Sequence, residues 1–534
     1  SSGINAEYMG KSDDTSFSSL LFDCQIKIRF YFMDYLYFLF SVSLLYAGIH
    51  FLLSRGIGGR RNGRGAPLPP GPPKLPVIGN IMQIRGSSPY RAMADFAKTY
   101  GPIMSLQLGG VTTVVFSTAD AAREALCKHD TLLSNRAVRH VAMALDHHKA
   151  SVIWSHPNDH WRKLRKLSAA QMFSPRRLDA SEELRREKVR LLRAYLREAA
   201  EAGAAVDLGA AAFTTILNMI STTLFSVDLA GFDSEASHEF EDIIFGTIEI
   251  SARPNLADFF PALQWLDPRG ARRNAGAYCQ RMMAVIDGIM GRRREERVRK
   301  SGTYSDVLEA LLDVDLSQEF ELSVGDLKHL FLDVFIAGVD TSATALEWAA
   351  AEVLRNPEIL RTARGEVAEV VGEGVEIRES DIPRLPYLQA VVKETLRLHP
   401  PGPLLLPHQA RGAVEVGGFS VPEGAQVLVN AWAIGRDPKV WADPETFRPE
   451  RFLGSRVDVK GRDFELLPFG AGRRICPGLP LANRMMHLIL GAFLGFGWRP
   501  EGGAVLAAMD MADKPGVTLV KKAMPVRAIP TTRS

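Results

Sequence analysis

A run of apolar residues near the N-terminus, 35–53 (YLYFLFSVSLLYAGIHFLL), constrains the topology of this 534-residue chain more than any other segment. Its 19 positions carry no formal charge when His50 is neutral. As an α-helix it would be about 28 Å long, close to the roughly 30 Å thickness of a bilayer's hydrocarbon core. We predict a transmembrane anchor rather than a buried core helix or a cleaved signal peptide, because no small-residue cleavage site follows the run.

The charges on either side of this run predict its orientation in a membrane. Residues 1–34 carry three basic and five acidic residues, whereas four arginines and no acidic residue follow the run, at Arg55, Arg60, Arg61 and Arg64. Because basic flanks stay in the cytoplasm, we expect the chain after residue 55 to face the cytosol. We predict a disordered extension over 1–34 and expect the native protein to start at Met33.

A basic and proline-rich hinge is expected at 54–73, between the anchor and the rest of the chain. It ends in Pro67-Leu68-Pro69-Pro70-Gly71-Pro72-Pro73, and prolines favour a stiff polyproline II segment. No further apolar run of comparable length is evident. Residues 74–534 are therefore predicted to form one large domain.

Composition excludes several classes of function. Lys and Arg number 64 and Asp and Glu 61, and a net charge of +3 does not favour a nucleic-acid-binding protein. The four cysteines, Cys24, Cys127, Cys279 and Cys476, lie far apart, with no CxxC or CxxCH motif. This spacing excludes a disulfide framework, a zinc ribbon and covalent attachment of a c-type haem. A functional cysteine would have to act alone.

Hydrophobic periodicity predicts a mainly α-helical domain with a minor β part. Helices are expected over 183–202, 277–300, 324–355, 384–399 and 479–496. Short strands are expected over 103–108, 112–117, 413–416, 419–421 and 426–429. The stretch 324–355 would be about 48 Å long if it formed one continuous helix.

The segment with the clearest chemistry is 469–478, which reads FGAGRRICPG. Cys476 follows a glycine-rich turn, which allows the backbone to approach a flat ligand, and precedes an apolar helix. A thiolate there would be stabilised by backbone N–H donors and by the positive end of the helix dipole, and these donors would tune a metal bound to it. Phe469 can shield the sulfur, and Arg474 can pair with an acidic cofactor group. The competing interpretation is a buried structural cysteine.

The complete pattern F-x-x-G-x-R-x-C-x-G resembles the haem-thiolate signature of the cytochrome P-450 superfamily. This resemblance implies the cytochrome P-450 fold, with a single large haem domain after an N-terminal transmembrane helix. It implies haem b, with the Cys476 sulfur as the metal ligand and further haem contacts from Phe469, Gly472, Arg474 and Gly478. It also implies O2 and NADPH-derived electrons as cosubstrates.

The family resemblance extends to the predicted helix 324–355. Ala337-Gly338-Val339-Asp340-Thr341-Ser342 matches the family pattern A/G-G-x-D/E-T-T/S. The match implies that Gly338 leaves room for dioxygen and that the Thr341 hydroxyl bonds back toward the Ala337 carbonyl. It also implies that Asp340 and Thr341 are catalytic residues that relay protons. An ordinary kink in a buried helix is the competing interpretation.

Three further motifs follow in the family's order. Glu394-Thr395-Leu396-Arg397 and Pro449-Glu450-Arg451-Phe452 resemble its E-x-x-R and P-E-R-F elements, which implies a buried structural network of Glu394, Arg397 and Arg451. Trp161-Arg162-Lys163-Leu164-Arg165 resembles its W-x-x-x-R element, which implies that Trp161 and Arg165 reach a haem propionate. His408 occupies the position of another propionate donor. The resemblance covers roughly residues 67–530.

Several segments are similar to plant A-type enzymes and, among these, to geraniol and other terpenoid hydroxylases. They include 255–273 and the closing Lys514-Pro515-Gly516-Val517-Thr518-Leu519, in which Pro515 replaces the usual Phe. The expected substrate pocket is apolar and consists of Phe335, Ala337, Gly338, Leu404, Leu405, Leu406 and Val517. Asp340 is the only acidic or basic residue expected to enter it, so the substrate would be positioned by shape.

We therefore expect a monooxygenase that is anchored in the endoplasmic reticulum membrane by a single span, with its catalytic domain in the cytosol. It would hydroxylate a small apolar plant metabolite, with a terpenoid as the expected class. NADPH–cytochrome P-450 reductase would be its partner, because the chain has no flavin or dinucleotide fingerprint. A flavonoid or phenylpropanoid hydroxylase is an alternative. Another is a haem protein that only binds ligand or catalyses an O2-independent rearrangement, although the Asp340–Thr341 pair argues against rearrangement.

Overall fold

The computed structural model describes residues 36–37, 39–44, 46, 48, 66–84, 88–253, 255–267, 269–299, 304, 306–313, 321–503, 505–514 and 519–532. The chain divides into two compact units: Ser1–Gly65 with Leu75–Val77, and Ala66–Lys74 with Ile78–Ser534. In the first unit, the described residues between 36 and 48 are helical and exposed. The rest of the predicted anchor, all of the predicted extension 1–34 and residues 54–65 of the predicted hinge lie outside the described residues.

The second unit consists mainly of helices. In chain order they are α1 (Ile81–Ile84), α2 (Pro89–Tyr100), α3 (Ala119–Arg123), α4 (Asp130–Leu133), α5 (His147–Ala150), α6 (Asp159–Leu167), α7 (Pro175–Ala180), α8 (Glu182–Ala202), α9 (Leu208–Phe225), α10 (Glu235–Ala252), α11 (Leu256–Phe259), α12 (Ala271–Val298), α13 (Val307–Asp313), α14 (Val324–Arg355), α15 (Pro357–Val370), α16 (Pro386–Leu398), α17 (Ala431–Ile434) and α18 (Leu479–Leu494). The predicted mainly α-helical fold with a minor β part is therefore confirmed.

Among the residues that the structure describes, the β part comprises ten short strands in three sheets. They are β1 (Ile103–Leu108), β2 (Val111–Phe116), β3 (Asn135–Arg136), β4 (Val206–Asp207), β5 (His408–Gln409), β6 (Val414–Val416), β7 (Phe419–Val421), β8 (Gln426–Val429), β9 (Gly497–Pro500) and β10 (Arg527–Thr531). The largest sheet has the order β1-β2-β8-β5-β3, in which β2 and β8 are parallel. Its edge pairs Arg136 with His408, which brings two distant segments together.

Helix α14 has the bounds that the sequence predicted. At its N-terminus, Ser323 and Asp326 form a capping box, which satisfies backbone N–H groups that have no partner within the helix. At its C-terminus, Asn356 is followed by Pro357, which begins α15. The helix predicted over 384–399 is shorter, because 379–384 forms a separate 3₁₀ turn and Pro386 occupies the first turn of α16.

Two helices that follow the anchor bear on the expectation that no second membrane span is present. Among the described residues, α9 and α14 are long and apolar enough to span a membrane by length and composition, but 89% and 72% of their most apolar windows are buried inside the protein. In α9 the polar residue Asn218 is satisfied internally, since it donates to the Ala230 carbonyl and accepts from the Leu229 N–H. Both are core helices of this unit.

The core is arranged around α14, which packs against α9, α10, α12, α16 and α18. Its interior face carries large buried side chains, including Phe331, Phe335 and Trp348. The segment 469–478, which we call the cysteine loop, leads directly into α18. This packing places the cysteine loop and the middle of α14 on opposite sides of one cavity.

Candidate active site

A cavity of about 360 Å³ brings most of the predicted site residues together. The predicted residues that line it are Trp161, Arg165, Ala337, Gly338, Thr341, Leu405, Leu406, His408, Phe469, Arg474, Cys476 and Gly478. They come from α6, α14, the loop before β5 and the cysteine loop. Four segments that are distant in the chain therefore contribute to one site.

The cysteine loop turns sharply so that the Cys476 side chain reaches the cavity. The Cys476 N–H donates to the Phe469 carbonyl at 2.9 Å, which closes the loop. Gly470 and Gly472 have φ values of 69° and 63°, a conformation that favours glycine. A Cβ on Gly472 would also collide with the Leu126 carbonyl oxygen, so only glycine fits there.

The Cys476 sulfur lies among groups that act in opposite directions on its charge. Burial raises the pKa of the thiol, while the backbone N–H groups of Gly478 and Leu479 and the Arg165 guanidinium act to lower it. These two N–H groups begin α18, where the helix dipole favours negative charge. The site thus supplies a single sulfur ligand with donors already directed at it.

Three guanidinium groups form what we call the arginine cluster, which consists of Arg136 and Arg474, both buried, and the half-buried Arg165. All three line the cavity, and within the described part of the chain none of them forms an ion pair with a carboxylate. Arg136 donates to the Ile153 and Leu406 carbonyls at 3.0 and 2.9 Å, and Arg474 donates to the Ser134 carbonyl at 2.9 Å. Buried charges are normally paired, so the cluster matches an anionic ligand.

Burial and mutual repulsion disfavour the positive charge of this cluster. Burial, followed by the neighbouring guanidinium groups, lowers the pKa of Arg136 well below its usual range. The same causes, burial first and then Arg165, lower the pKa of Arg474 to about 10. A ligand with carboxylate groups would remove this penalty, because opposite charges favour the charged form.

Trp161 and His408 are beside the arginine cluster, but the Trp161 indole N–H and the Nδ1 atom of His408 already have protein partners. The Trp161 indole N–H donates to the Val152 carbonyl at 2.9 Å, and the ring stacks under the Arg474 guanidinium at 4.4 Å. In this arrangement the indole N–H, which the resemblance assigned to a propionate, bonds to the backbone, and the ring contacts Arg474. His408 Nδ1 lies 2.7 Å from the Leu133 carbonyl oxygen, and burial followed by the charge of Arg136 lowers its pKa to about 3.

On the other side of the cavity, α14 presents Ala337, Gly338 and Thr341. Thr341 Oγ1 donates to the Ala337 carbonyl at 2.6 Å, the backward bond that the family pattern implied. A Cβ on Gly338 would lie 2.9 Å from the Ile220 side chain of α9, so the glycine also permits close helix packing. The part of the cavity wall that α14 forms therefore carries a hydroxyl whose proton is donated to a carbonyl of the same helix.

Asp340 points away from the cavity, although it is adjacent to Thr341 in sequence. Its Oδ1 forms an ion pair with Lys521 Nζ at 2.8 Å, and its buried Oδ2 has no hydrogen-bond partner among the described residues. Burial raises the pKa of this carboxyl, and the Lys521 charge opposes that effect. Sequence reasoning did not identify Lys521, which lies 181 positions further along the chain and belongs to no motif.

The predicted structural network is buried beneath this site. Arg397 contacts both Glu394 carboxylate oxygens, at 2.7 and 2.8 Å, and Arg451 contacts Glu394 at 3.0 Å. The Glu394 and Arg397 side chains are completely buried. Arg397 also donates to backbone carbonyls of Gly435 and Pro444, so the network joins α16 to the loops that precede the cysteine loop.

Several residues expected in the pocket lie elsewhere. Phe335 does not line the cavity but stacks on Phe225 of α9, with 6.0 Å between ring centroids. Leu404 packs into a separate core cluster with Trp348, whereas the neighbouring Leu405 and Leu406 line the cavity. Val517 lies outside the described residues. The expectation failed for Phe335 and Leu404 because the motif gives only the position in the chain and does not determine which side of the backbone faces the ligand.

The cavity wall is also more polar than the sequence indicated. Asp333 of α14 and His147 of α5 both line it, which contradicts the expectation that only Asp340 would contribute an acid or base. The signal in the sequence was an acidic residue inside an otherwise apolar helix, eight positions before Thr341. Arg136 carried no such signal, because its two-residue strand is too short for periodicity to reveal it.

Comparisons with known proteins agree with this site. The Cytochrome P450 family profile matches residues 69–516. Cytochrome P450 76T24 of Catharanthus roseus is 49% identical over 91% of this chain and 96% of its own length. The chain belongs to the cytochrome P450 family.

Further relatives support this membership. Geraniol 8-hydroxylase of Catharanthus roseus is 46% identical over 87% of this chain and 94% of its own length. Drimenol monooxygenase of Persicaria hydropiper is 44% identical over 87% of this chain and 92% of its own. A zebra fish cytochrome P450 solved with progesterone has a TM-score of 0.70 at 26% identity and covers 83% of this chain and 99% of that one.

As a cytochrome P450, the protein is a monooxygenase that uses haem b, O2 and NADPH-derived electrons, and it needs a redox partner and a small apolar substrate. The residues present fit this cofactor. The cavity offers one sulfur ligand, Cys476, and three guanidinium groups that no carboxylate of the described residues neutralises. Haem supplies the complementary groups, since its iron accepts a thiolate and its two propionates are anions.

Proposed function

We propose that this cytochrome P450 hydroxylates a terpenoid and that Cys476 is the ligand of its haem iron. The observation that carries this proposal is a single cavity lined by Cys476, by Thr341 and by apolar side chains. Relatives of nearly the same length are named as a geraniol hydroxylase and a drimenol monooxygenase, and both names refer to terpenoid substrates. When bound, haem supplies the activation of O2, which places one oxygen atom in the product and one in water.

The haem would be held by the cysteine loop and the arginine cluster. Gly472 keeps the loop tight against Leu126, and Phe469 and Gly478 line the cavity around the sulfur. Arg165 and Arg474 would pair with the propionates, together with Arg136, and His408 would donate to one of them once the carboxylate raises its pKa. The Glu394–Arg397–Arg451 network has a structural role, since it supports the loop without lining the cavity.

Thr341 and Asp340 would deliver the protons that the reaction consumes. The Thr341 hydroxyl lines the cavity, with its proton held toward the Ala337 carbonyl. Asp340 is its neighbour, and burial raises the pKa of this carboxyl, which favours the protonated form. The Lys521 ion pair holds Asp340 away from the cavity, so Asp340 must exchange that partner before a proton at Oδ2 passes toward Thr341.

The substrate pocket would consist of the cavity walls above Ala337 and Gly338, closed by Leu405 and Leu406. These apolar surfaces suit a hydrocarbon skeleton that is positioned by shape. Val517, in the last loop, stays a prediction for the same pocket. Pro515, two positions earlier, is the difference from terpenoid hydroxylases with the greatest expected effect on its shape.

We also propose that residues 35–53 anchor the enzyme in the endoplasmic reticulum membrane, with residues 74–534 as the catalytic domain in the cytosol. The uncharged run and the four arginines after it support this topology. NADPH–cytochrome P-450 reductase would supply the electrons at the same membrane.

Microsomes that contain this chain and the reductase test the proposal when they are supplied with ¹⁸O2 and a panel of terpenoids and flavonoids. We expect a terpenoid product that carries one ¹⁸O atom, as measured by mass spectrometry. Oxygenation of only flavonoids or phenylpropanoids would contradict the substrate class. A product without ¹⁸O would contradict the reaction itself.

A further inference from the structure

One part of the cavity wall, formed by α5, α10 and the N-terminal half of α14, is polar. Asp333, Thr247 and Ser251 line it together with His147. The apolar side chains of Ile248 and Val334 lie on the same wall. None of these polar groups belongs to the cysteine loop or to the arginine cluster, so the haem contacts proposed above leave them unexplained.

Asp333 is a buried side chain whose carboxyl group is held in place by donors of the protein. Its oxygens accept from Ser151 Oγ at 2.8 and 2.9 Å and from the Val152 N–H at 2.7 Å, and His147 Nε2 lies 3.0 Å away. Within the described residues it has no Lys or Arg partner. A carboxylate accepts about four hydrogen bonds, and these three groups supply three protons, so one acceptor position is left for a ligand.

The two hydroxyl groups on α10 are also acceptors. Thr247 Oγ1 donates its proton to the Ile243 carbonyl at 2.7 Å, and Ser251 Oγ donates its proton to the Thr247 carbonyl at 2.7 Å. A hydroxyl has one proton and two lone pairs, so the lone pairs of both oxygens remain for a group in the cavity. Like Asp333, these residues can receive a hydrogen bond but have no proton free to give.

The remaining polar group on this wall adds no strong hydrogen-bond donor to these acceptors. Cys279 of α12 lines the cavity, and burial followed by the nearby Asp333 charge raises the pKa of its thiol to about 11. It therefore stays a neutral thiol, which is only a weak donor. A ketone, an aldehyde or a pure hydrocarbon would leave the Asp333 acceptor position unpaired, which costs binding energy at a buried site.

We infer that Asp333, Thr247 and Ser251 form an acceptor-only site that selects, within the substrate class of the proposed function, a terpenoid carrying a free hydroxyl. This inference rests on the proposed function and identifies the residues that would orient the substrate. Asp333 precedes Thr341 by eight residues, or about 12 Å along the helix axis. An extended chain advances about 1.1–1.2 Å per bond, so the hydroxyl and a carbon level with Thr341 would be separated by roughly ten to eleven bonds.

Binding of matched ligands to the haem-loaded enzyme tests this inference without turnover. The probes are geraniol, its aldehyde, its methyl ether and the corresponding hydrocarbon, and their dissociation constants can be measured by equilibrium dialysis. We expect geraniol to bind about tenfold more tightly than the other three, since only geraniol can donate a hydrogen bond.

Substitutions of these residues then test whether they cause the preference for geraniol. The double substitution Thr247→Val with Ser251→Ala should weaken geraniol binding about three- to tenfold and change hydrocarbon binding less than twofold. Asp333→Asn introduces a donor of similar size and should narrow the preference for geraniol over the aldehyde. Thr362→Val is the matched control, because Thr362 forms the same bond to the carbonyl four residues earlier on the exposed helix α15. It should leave all four constants unchanged.

The outcomes separate this inference from the proposed function. Equal affinities for the four ligands would overturn the acceptor site. A preference for the alcohol that persists in both the α10 double variant and Asp333→Asn would also overturn it. Neither result would contradict the proposed terpenoid hydroxylase activity. Binding of none of the four would overturn the substrate class and this inference together. If the double variant fails to take up haem, the wild-type comparison and Asp333→Asn still decide the question.

Discussion

Two groups of arginines are buried in this cytochrome P450, and they differ in what balances their charge. Arg397 and Arg451 share the Glu394 carboxylate at distances of 2.7–3.0 Å. The arginine cluster at the cavity has backbone carbonyls as its main partners and, among the described residues, no carboxylate in contact. Arg136, Arg397 and Arg474 are buried, and Arg165 and Arg451 are half-buried.

This difference separates arginines whose charge is balanced by the protein itself from arginines whose charge a bound ligand would balance. A buried cation with its own anion stabilises one arrangement of the chain, and loss of one partner leaves an unpaired charge. A buried cation without an anion is unfavourable until a ligand brings one. The first group should therefore control folding, and the second should control haem binding.

The largest effect is expected from Arg397→Ala. It leaves Glu394 buried with fewer partners and should lower the free energy of unfolding by about 3–5 kcal/mol, with loss of haem incorporation. Urea denaturation measures the first quantity and haem content the second. Arg448→Ala is the control, because Arg448 is half exposed beside Asp443 and its ion pair should contribute less than about 1 kcal/mol. Equal stability of the two variants would contradict the distinction.

Arg474→Met tests the prediction that the arginine cluster controls haem binding. Loss of a charge-assisted bond to a propionate should weaken haem binding by about 1.5–3 kcal/mol, measured by transfer of haem to apomyoglobin. The haem-free protein should lose much less stability than Arg397→Ala does, because an unfavourable charge is removed. Arg473→Met is the adjacent control, since Arg473 is half exposed and pairs with Asp130 at 2.8 Å. A haem affinity that falls equally in both would contradict the assignment.

His408 should make the haem-free protein sensitive to acid. Its pKa of about 3 in the fold lies below the usual 6.5, so between these values the unfolded chain binds more protons and stability falls as the pH is lowered. From pH 6.5 to pH 5 the loss should be about 2 kcal/mol for this buried group. His408→Gln should reduce that slope without abolishing it, because burial also lowers the pKa of His487 to about 4. Bound haem should reduce it as well. A slope that is the same in all three forms would show that His408 is not its source.

Thr341→Ala should have the smallest effect on stability, within about 1 kcal/mol, because a single hydrogen bond to the Ala337 carbonyl is lost. Its effect should be on coupling, with more NADPH consumed per product formed. Thr341→Ser keeps the hydroxyl and should restore the ratio toward that of the wild type. Unchanged coupling in Thr341→Ala would remove this residue from the proton relay.

The two arginine groups also differ in how far the sequence could predict them. The E-x-x-R spacing places Glu394 and Arg397 on one helical face, so local geometry alone brings them together. Arg136 meets His408 only through the pairing of β3 with β5 and donates to a carbonyl 270 residues away. Such contacts depend on the tertiary fold and leave no local pattern.

The same contrast applies along α14. Its bounds were predictable because periodicity and the Ser323 cap are local features. The direction of each side chain was not, since Phe335 turns to Phe225 and Asp340 to Lys521, while Asp333 faces the cavity. Residues from α5, α9, α10 and the last loop decide those orientations, and these neighbours are distant in sequence.

The assignment of the Cys476 sulfur as the iron ligand can be tested directly by spectroscopy. Reduced protein exposed to carbon monoxide should show the red-shifted Soret band that thiolate-bound haem gives, and Cys476→Ser should bind haem without that band. Cys279→Ser should keep the band, because the Cys279 thiol lies on the helix α12 side of the cavity. A wild-type protein without this band, or a Cys476→Ser variant that retains it, would contradict the assignment of the iron ligand.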